Sequence, residues 1–310
     1  MKSRRRFLQE AAALGIGGTL LGTNAWAKSF AVKSKMPAPG IQLFTLFNEM
    51  DIDTVGALQK VAAAGYKNIE SAFSKQAGFY GKKPKEFKSL LHDMGMEWRS
   101  HHVMGSPIQL PPNYKVPTGP DGKPLSFPPM KNLRDNSQEL VDLVAEAGIP
   151  FLVCASINVS TGEDVKKSAE VLQRTGEQAK KAGLHFAYHN HVTEFDNKDG
   201  IVSYDYFTSQ ISADLLKFEL DLGWVFKAGK NPVEIFKQHK GRFPLLHVKD
   251  MTKEGEIVPF GQGSYNFTEA FKHIDDAAMQ YFFLEQDFPK KPFEDINTAI
   301  QNFSKFQKTL

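Results

Sequence analysis

Cysteine is nearly absent: Cys154 is the only one in 310 residues, so no intrachain disulfide can form. The weakly apolar stretch Ala11 to Gly22 is 12 residues, too short to span a bilayer, which takes about 20. No Ser/Gly linker and no shift of composition divides residues 28–310, so one domain is the expectation. The first apolar strand is not followed by G-x-G-x-x-G, which removes the main mark of an open dinucleotide-binding sheet. Excess charge is lacking too. The formal net charge is +3, and the first 27 residues account for it with Lys2, Arg4, Arg5 and Arg6 against Glu10. The remainder is close to neutral and offers no electrostatic case for a nucleic-acid or acidic-membrane partner.

The N-terminal segment reads as an address. Ser3-Arg4-Arg5-Arg6-Phe7-Leu8 is a twin-arginine pattern, and Ala25-Trp26-Ala27 is a small-x-small cleavage site. Cleavage after Ala27 is expected, leaving residues 28–310 as a single periplasmic or extracytoplasmic domain. No cysteine stands at the new N-terminus to carry a lipid, so no stable membrane anchor is expected. Twin-arginine export moves folded proteins, which suits a chain that takes up a metal in the cytoplasm.

What is present is a repeated punctuation. A-A-A-G-Y-K-N-I-E, H-D-M-G-M-E-W-R-S-H-H, A-E-A-G-I-P-F-L-V-C-A-S and K-K-A-G-L-H-F-A-Y-H-N-H share one grammar. A helical segment ends at Gly65, Gly95, Gly148 or Gly183 and an apolar strand comes at once; glycine takes the left-handed helix-end conformation at little steric cost. Helical spacing is carried by Val55, Leu58 and Val61, by Leu140, Leu143, Val144 and Ala147, and by Val165, Ala169, Leu172 and Ala179, with Asp53 as an N-cap. Eight strands are expected at 41–46, 66–71, 97–103, 151–156, 185–191, 217–222, 244–250 and 282–287. Eight βα units in this length predict a closed (β/α)8 TIM barrel. Between residues 105 and 131 lie eight of the 17 prolines, so that stretch is neither helix nor central strand. It is expected as a loop insertion after the third strand, either a lid over the pocket or a plain surface excursion.

From the second strand onward, each strand ends in polar residues, which a packed barrel core does not need and which are costly to bury unpaired. His189, Asn190 and His191 close the fifth strand, and alternation puts the two imidazoles on one face. His189, Asp221, His247 and Glu285, from strands five to eight, make a candidate metal site. Two imidazoles and two carboxylates form a set of borderline hardness, suited to one divalent ion, Mn or Zn first and Co, Fe or Mg after them.

With these residues in these places, the chain resembles the sugar phosphate isomerase/epimerase, or xylose isomerase-like TIM barrel, superfamily. The resemblance runs from G-I-Q-L-F-T-L to F-L-E-Q-D-F, and F-E-L-D-L-G-W-V, L-L-H-V-K-D-M and G-Q-G-S-Y-N-F carry most of it. It implies that Asp221, His247 and Glu285 take three of four metal-ligand places. In epimerases of this type the remaining place is a glutamate, which also pairs with the other glutamate as acid and base. Here His189 stands there, which weakens the case for 3-epimerisation.

Lys249 shares parity with His247 and is placed to polarise an oxyanion or move a proton, or else to pair with Asp221 or Asp250. Glu285 and His191 are the other catalytic candidates. Glu70, His102 and Trp224 are candidate substrate contacts, with Glu70 and His102 alternatively orienting a ligand from behind. Cys154 reads as a small buried hydrophobe, and Gly261 and Gly263 as a turn or a phosphate cradle. The leading expectation is a metal-dependent isomerase/epimerase acting on a small carbohydrate, by proton abstraction beside a polarised carbonyl. Its closest rival is a lyase or dehydratase eliminating a β-oxygen from a 3-keto-glycoside. An endonuclease IV-like phosphodiesterase and a non-catalytic sugar-binding barrel come after; the charge balance opposes the first and the ligand set the second.

Overall fold

The computed structural model describes residues 36–107 and 130–310, and eight parallel strands in it close into a barrel. They are β1 (Gly40–Gln42), β2 (Asn68–Ser71), β3 (Glu97–Met104), β4 (Phe151–Ser156), β5 (His185–His189), β6 (Lys217–Asp221), β7 (Leu245–Val248) and β8 (Tyr281–Leu284). Each pairs in parallel with the next and β8 returns to β1, with Gly40 opposite Phe283. This is the expected (β/α)8 fold. The targeting segment 1–27 and nearly all of the Pro-rich stretch 105–131 lie outside the described residues. Among the described residues no helix is long and apolar enough to cross a membrane.

The helix ends follow the local chemistry. Gly65, Gly95, Gly148 and Gly183 all take positive φ, between 61° and 106°. The Asp53 side chain accepts from the Gly56 N–H at 2.9 Å and starts the helix Thr54–Ala64. In the helix Gly162–Lys181 the expected Val165, Ala169, Leu172 and Ala179 are all buried. The first helix is rotated from its expected register: Val55 is exposed, whereas Ala57, Leu58 and Val61 face inward.

Several strands are shorter than their apolar runs. Residues 43–46 form a 3-10 turn because the Gln42 side chain accepts from the Phe44 N–H at 3.0 Å and bends the chain out of β1. The fifth strand stops at His189, two residues early. Past β7, Asp250–Met251 leaves the barrel to pair antiparallel with Ile257–Val258.

Alternation along the strands sorts the barrel interior into layers. Phe151, Val153, Ala187, Leu245 and Phe283 pack as an apolar floor. Two residues further along stand His189 on β5, His247 on β7 and Glu285 just past the end of β8. Another two residues along lie His191, Lys249 and Asp287, so successive inward positions climb from hydrocarbon to charge.

Candidate active site

Above the apolar floor the C-terminal end of the barrel opens into a cavity of about 620 Å³. His189 and Glu285 line it, and Asp221 and His247 lie fully buried just beneath. One ligand atom from each of these four comes within 4.8 Å of the others. His247 Nδ1 lies 2.8 Å from Glu285 Oε2, and His189 Nε2 lies 3.7 Å from Asp221 Oδ2. Asp221 divides its carboxylate: Oδ1 accepts from the Trp224 N–H at 3.1 Å, capping the helix Leu222–Lys227, while Oδ2 has no hydrogen-bond partner. A buried carboxylate oxygen with no hydrogen-bond partner, 3.5 Å from the Lys249 ammonium and grouped with two imidazoles and a second carboxylate, fits a divalent cation. Burial pushes the Asp221 carboxyl up to about 7, against the pull of Lys249 and His247.

The end of β5 is latched to β6 through the residue between the two histidines. The Asn190 side chain accepts from the Asp221 N–H at 3.0 Å, so Asn190 holds the backbone that carries both His189 and Asp221. His191 lines the cavity with its ring centroid 5.0 Å from that of His189, on the same side as alternation predicts. Its backbone N–H donates to Glu194 at 2.9 Å. Burial lowers the His191 imidazole pKa, which favours the neutral, proton-accepting form.

Lys249 is held among carboxylates: 3.0 Å from both oxygens of Asp287, 3.0 Å from Glu285 and 3.5 Å from Asp221. Burial opposes its charge, yet Asp287, Glu285 and Asp221 outweigh burial and keep it protonated. The expected pairing with Asp221 is made; the one with Asp250 is not. Trp224 forms part of the cavity wall, with the Lys249 ammonium 5.0 Å from its ring centroid.

Beneath the four-residue set lies a second polar layer of Glu70, His102 and Glu219. Glu219 Oε2 stands 2.6 Å from His102 Nε2, 3.1 Å from His247 Nε2 and 3.2 Å from His189 Nδ1. His102, His189, Glu219 and His247 form a second group with metal-ligand spacing. Burial opposes the charge on His102, but Glu70 and Glu219 raise its imidazole to about 9. Burial likewise opposes the charge on Glu219, and His247 and His102 overcome it and bring the carboxyl down to about 2. Glu70 has no exposed surface and does not reach the cavity; it binds the Gln42 side chain at 2.8 Å, His247 and His102. It therefore stands behind the histidines and not against a substrate, whereas His102 both binds Glu219 and lines the cavity.

Glu219 and Gln42 are the residues that sequence reasoning passed over. The signal for Glu219 was its parity with Asp221 in F-E-L-D, which puts both carboxylates on the interior face. The glycine pair forms a turn around an internal anion: the N–H groups of Gly261 and Gly263 donate to Asp250 Oδ2 at 2.9 and 3.0 Å, so the protein's own carboxylate fills the cradle. Cys154 is fully buried, as expected.

Residues 58–305 match the family model for xylose isomerase-like TIM barrels. An inosose dehydratase from Clostridium beijerinckii is 25% identical over 157 residues, 44% of this chain and 52% of that protein. The chain thus spans about half the length of the curated relatives it matches. A sugar phosphate isomerase/epimerase from Parabacteroides distasonis superposes with a TM-score of 0.67 at 25% identity, covering 87% of this chain and 94% of that one. A D-allulose 3-epimerase from Methylomonas sp., solved with D-allulose, shares the fold with a TM-score of 0.62 at 13% identity, over 87% and 97% of the two chains.

Proposed function

The chain belongs to the xylose isomerase-like TIM barrel family, and from that premise we propose a metal-dependent enzyme of the isomerase/epimerase type. Its substrate is a small carbohydrate, and its first step is removal of the proton beside a carbonyl. The observation that carries this reading is the meeting of His189, Asp221, His247 and Glu285 at the base of the cavity, with Asp221 Oδ2 buried and without a hydrogen bond. A divalent ion held by these four would supply positive charge against the negative charge that develops on the substrate oxygens.

The chain's own residues divide the remaining work. Burial opposes ionisation of Glu285, but Lys249 and His247 outweigh it and keep the carboxylate charged, fit to accept a proton at its oxygens. Lys249, locked in its ammonium form, faces the same cavity and stabilises an oxyanion there. His191, kept neutral by burial, is the second proton carrier, and Trp224 offers an apolar ring to a sugar face.

A second reading, β-elimination by a lyase or dehydratase, is favoured by one feature of this chain. His189 occupies the place where the resemblance has a second glutamate, so the facing pair of carboxylates for returning a proton to the opposite side is missing. The partial likeness to inosose dehydratases points the same way. The exported address read from residues 1–27 belongs to this proposal too; an R4K/R5K double variant should stay in the cytoplasm while the parent chain is exported.

The deciding experiment is incubation of Mn- or Zn-loaded protein with a panel of ketoses and 3-keto-glycosides in deuterated water. Solvent deuterium at the carbon beside the carbonyl, in a rearranged sugar, supports isomerisation or epimerisation. An unsaturated product with release of the β-substituent supports elimination. Absence of both across the panel, with metal bound, would sink the enzymatic reading.

A further inference from the structure

The two histidines of the proposed metal set each face two ways. His189 turns Nε2 toward Asp221 and Nδ1 toward Glu219, at 3.7 and 3.2 Å. His247 turns Nδ1 toward Glu285 and Nε2 toward Glu219, at 2.8 and 3.1 Å. A neutral imidazole carries one N–H and one lone pair, so it cannot serve a cation on both sides without losing its last proton. Whichever nitrogen takes the cation, the other must be an N–H that needs an acceptor.

Glu219 is that acceptor for His189 Nδ1, and at His247 Nε2 it shares the role with Glu70, whose oxygen makes the closer hydrogen bond. A carboxylate only accepts, and a single oxygen, Oε2, meets His189 Nδ1, His247 Nε2 and His102 Nε2. Glu219 has no exposed surface, and its neighbour Glu70, equally buried, adds an oxygen to His247 Nε2 and to His102 Nε2. Glu219 and Glu70 are thus sealed below the rings, while His189 and Glu285 reach the cavity. A cation that must also meet a substrate needs the open side.

We propose that Glu219 is a positioning residue that fixes the tautomers of His189 and His247. It holds N–H at His189 Nδ1 and His247 Nε2 and so presents His189 Nε2 and His247 Nδ1 to a divalent ion beside Asp221 and Glu285. This rests on the reading that the ion occupies that upper set. Hydrogen bonds from the far nitrogen of a ligating histidine to a carboxylate fix its orientation and raise its basicity, and removing such a partner costs about 10–100-fold in metal affinity. Gln at position 219 keeps the shape but loses the charge, and its amide can donate where only an acceptor suits, which rewards the wrong tautomer.

The test uses full-length protein, wild type and E219Q, with zinc as the probe. Zinc titration by calorimetry should give one ion per wild-type chain, and E219Q should bind it about 10–100-fold more weakly. Circular dichroism and the apo-protein melting temperature show whether E219Q is folded. Independently of any variant, long-range 1H–15N spectra of histidine-labelled, zinc-loaded wild type should show His189 as the Nδ1–H tautomer and His247 as the Nε2–H tautomer. The reverse tautomers, or two zinc ions per chain, would place a cation in the lower group of His102, His189, Glu219 and His247 and overturn the proposal. Unchanged affinity in folded E219Q overturns it while leaving the upper metal set intact. Failure of wild type to bind zinc or manganese at all overturns both.

Discussion

Asn190 and Asp221 are joined by a buried hydrogen bond: the Asn190 side-chain oxygen accepts from the Asp221 N–H at 3.0 Å. With a longer bond from the Asn190 side-chain amide to the Asp221 carbonyl at 3.5 Å, it ties the end of β5 to the end of β6 and helps set the spacing between His189 and the Asp221 carboxylate. Asn190→Ala leaves a buried backbone N–H without an acceptor, which costs about 1–3 kcal/mol. Urea unfolding should report that loss, and metal titration should report weaker binding; unaltered values in both would show that the latch is dispensable.

His189 and His191 are expected to fail differently. His189→Ala removes one of the four ligands proposed above, so both bound metal and activity should disappear. His191→Ala should keep the metal and lower turnover by about 10²–10⁴-fold, the contribution of a positioned acid or base. Metal analysis and turnover on the two purified variants separate these roles. Metal retained in both, with only a lowered melting temperature, would make the two imidazoles structural.

Metal affinity should rise with pH through neutrality. Asp221 is pushed up to about 7 by burial. Burial opposes a proton on His247, but Glu219, Glu285 and Glu70 hold its imidazole well above the usual histidine range. Protons therefore compete with the cation at both groups. For Asp221 alone, the folded apo-protein binds more protons than the unfolded chain between its ordinary carboxylate range and about 7, so its contribution to apo stability falls as pH rises through that window. The stabilisation conferred by metal should move oppositely, with a larger rise in melting temperature at about pH 8 than at about pH 6. A metal-induced rise equal at both pH values would contradict this assignment.

Cys154 should be chemically silent. Burial raises its thiol well above the ordinary range, and its Sγ lies against the backbone carbonyl of Ser156 at 3.7 Å. A thiol reagent should label the native protein far more slowly than the urea-unfolded chain. Prompt stoichiometric labelling without denaturant would show that the fourth strand opens readily.

Gly223→Ala should damage the site from behind. A Cβ there would come 2.3 Å from the Lys249 carbonyl oxygen, so the helix Leu222–Lys227 must withdraw from β7 and take the Asp221 cap with it. Overpacking of this kind costs about 1–3 kcal/mol. Thermal melting and metal titration should both be affected.

Local rules made much of the molecule readable in one dimension. The four glycines that end helices, the Asp53 cap, the strand cores and the set His189, Asp221, His247 and Glu285 follow from backbone conformation and from alternation, both properties of near neighbours in the chain. Barrel closure decided the rest, because it brings together residues more than a hundred positions apart. Glu219 reads in sequence as an ordinary charge in an alternating strand; only the closed barrel sets it 117 positions from its partner His102, within 2.6 Å. Lys249 had two candidate partners in sequence, Asp221 and Asp250; inter-strand register kept Asp221 at 3.5 Å, added Glu285 and Asp287 from the extension of β8, and left Asp250 to the Gly261 and Gly263 amides. Pairing between buried charges depends on distances of a few ångströms in a medium of low dielectric, and no spacing along the chain encodes those distances.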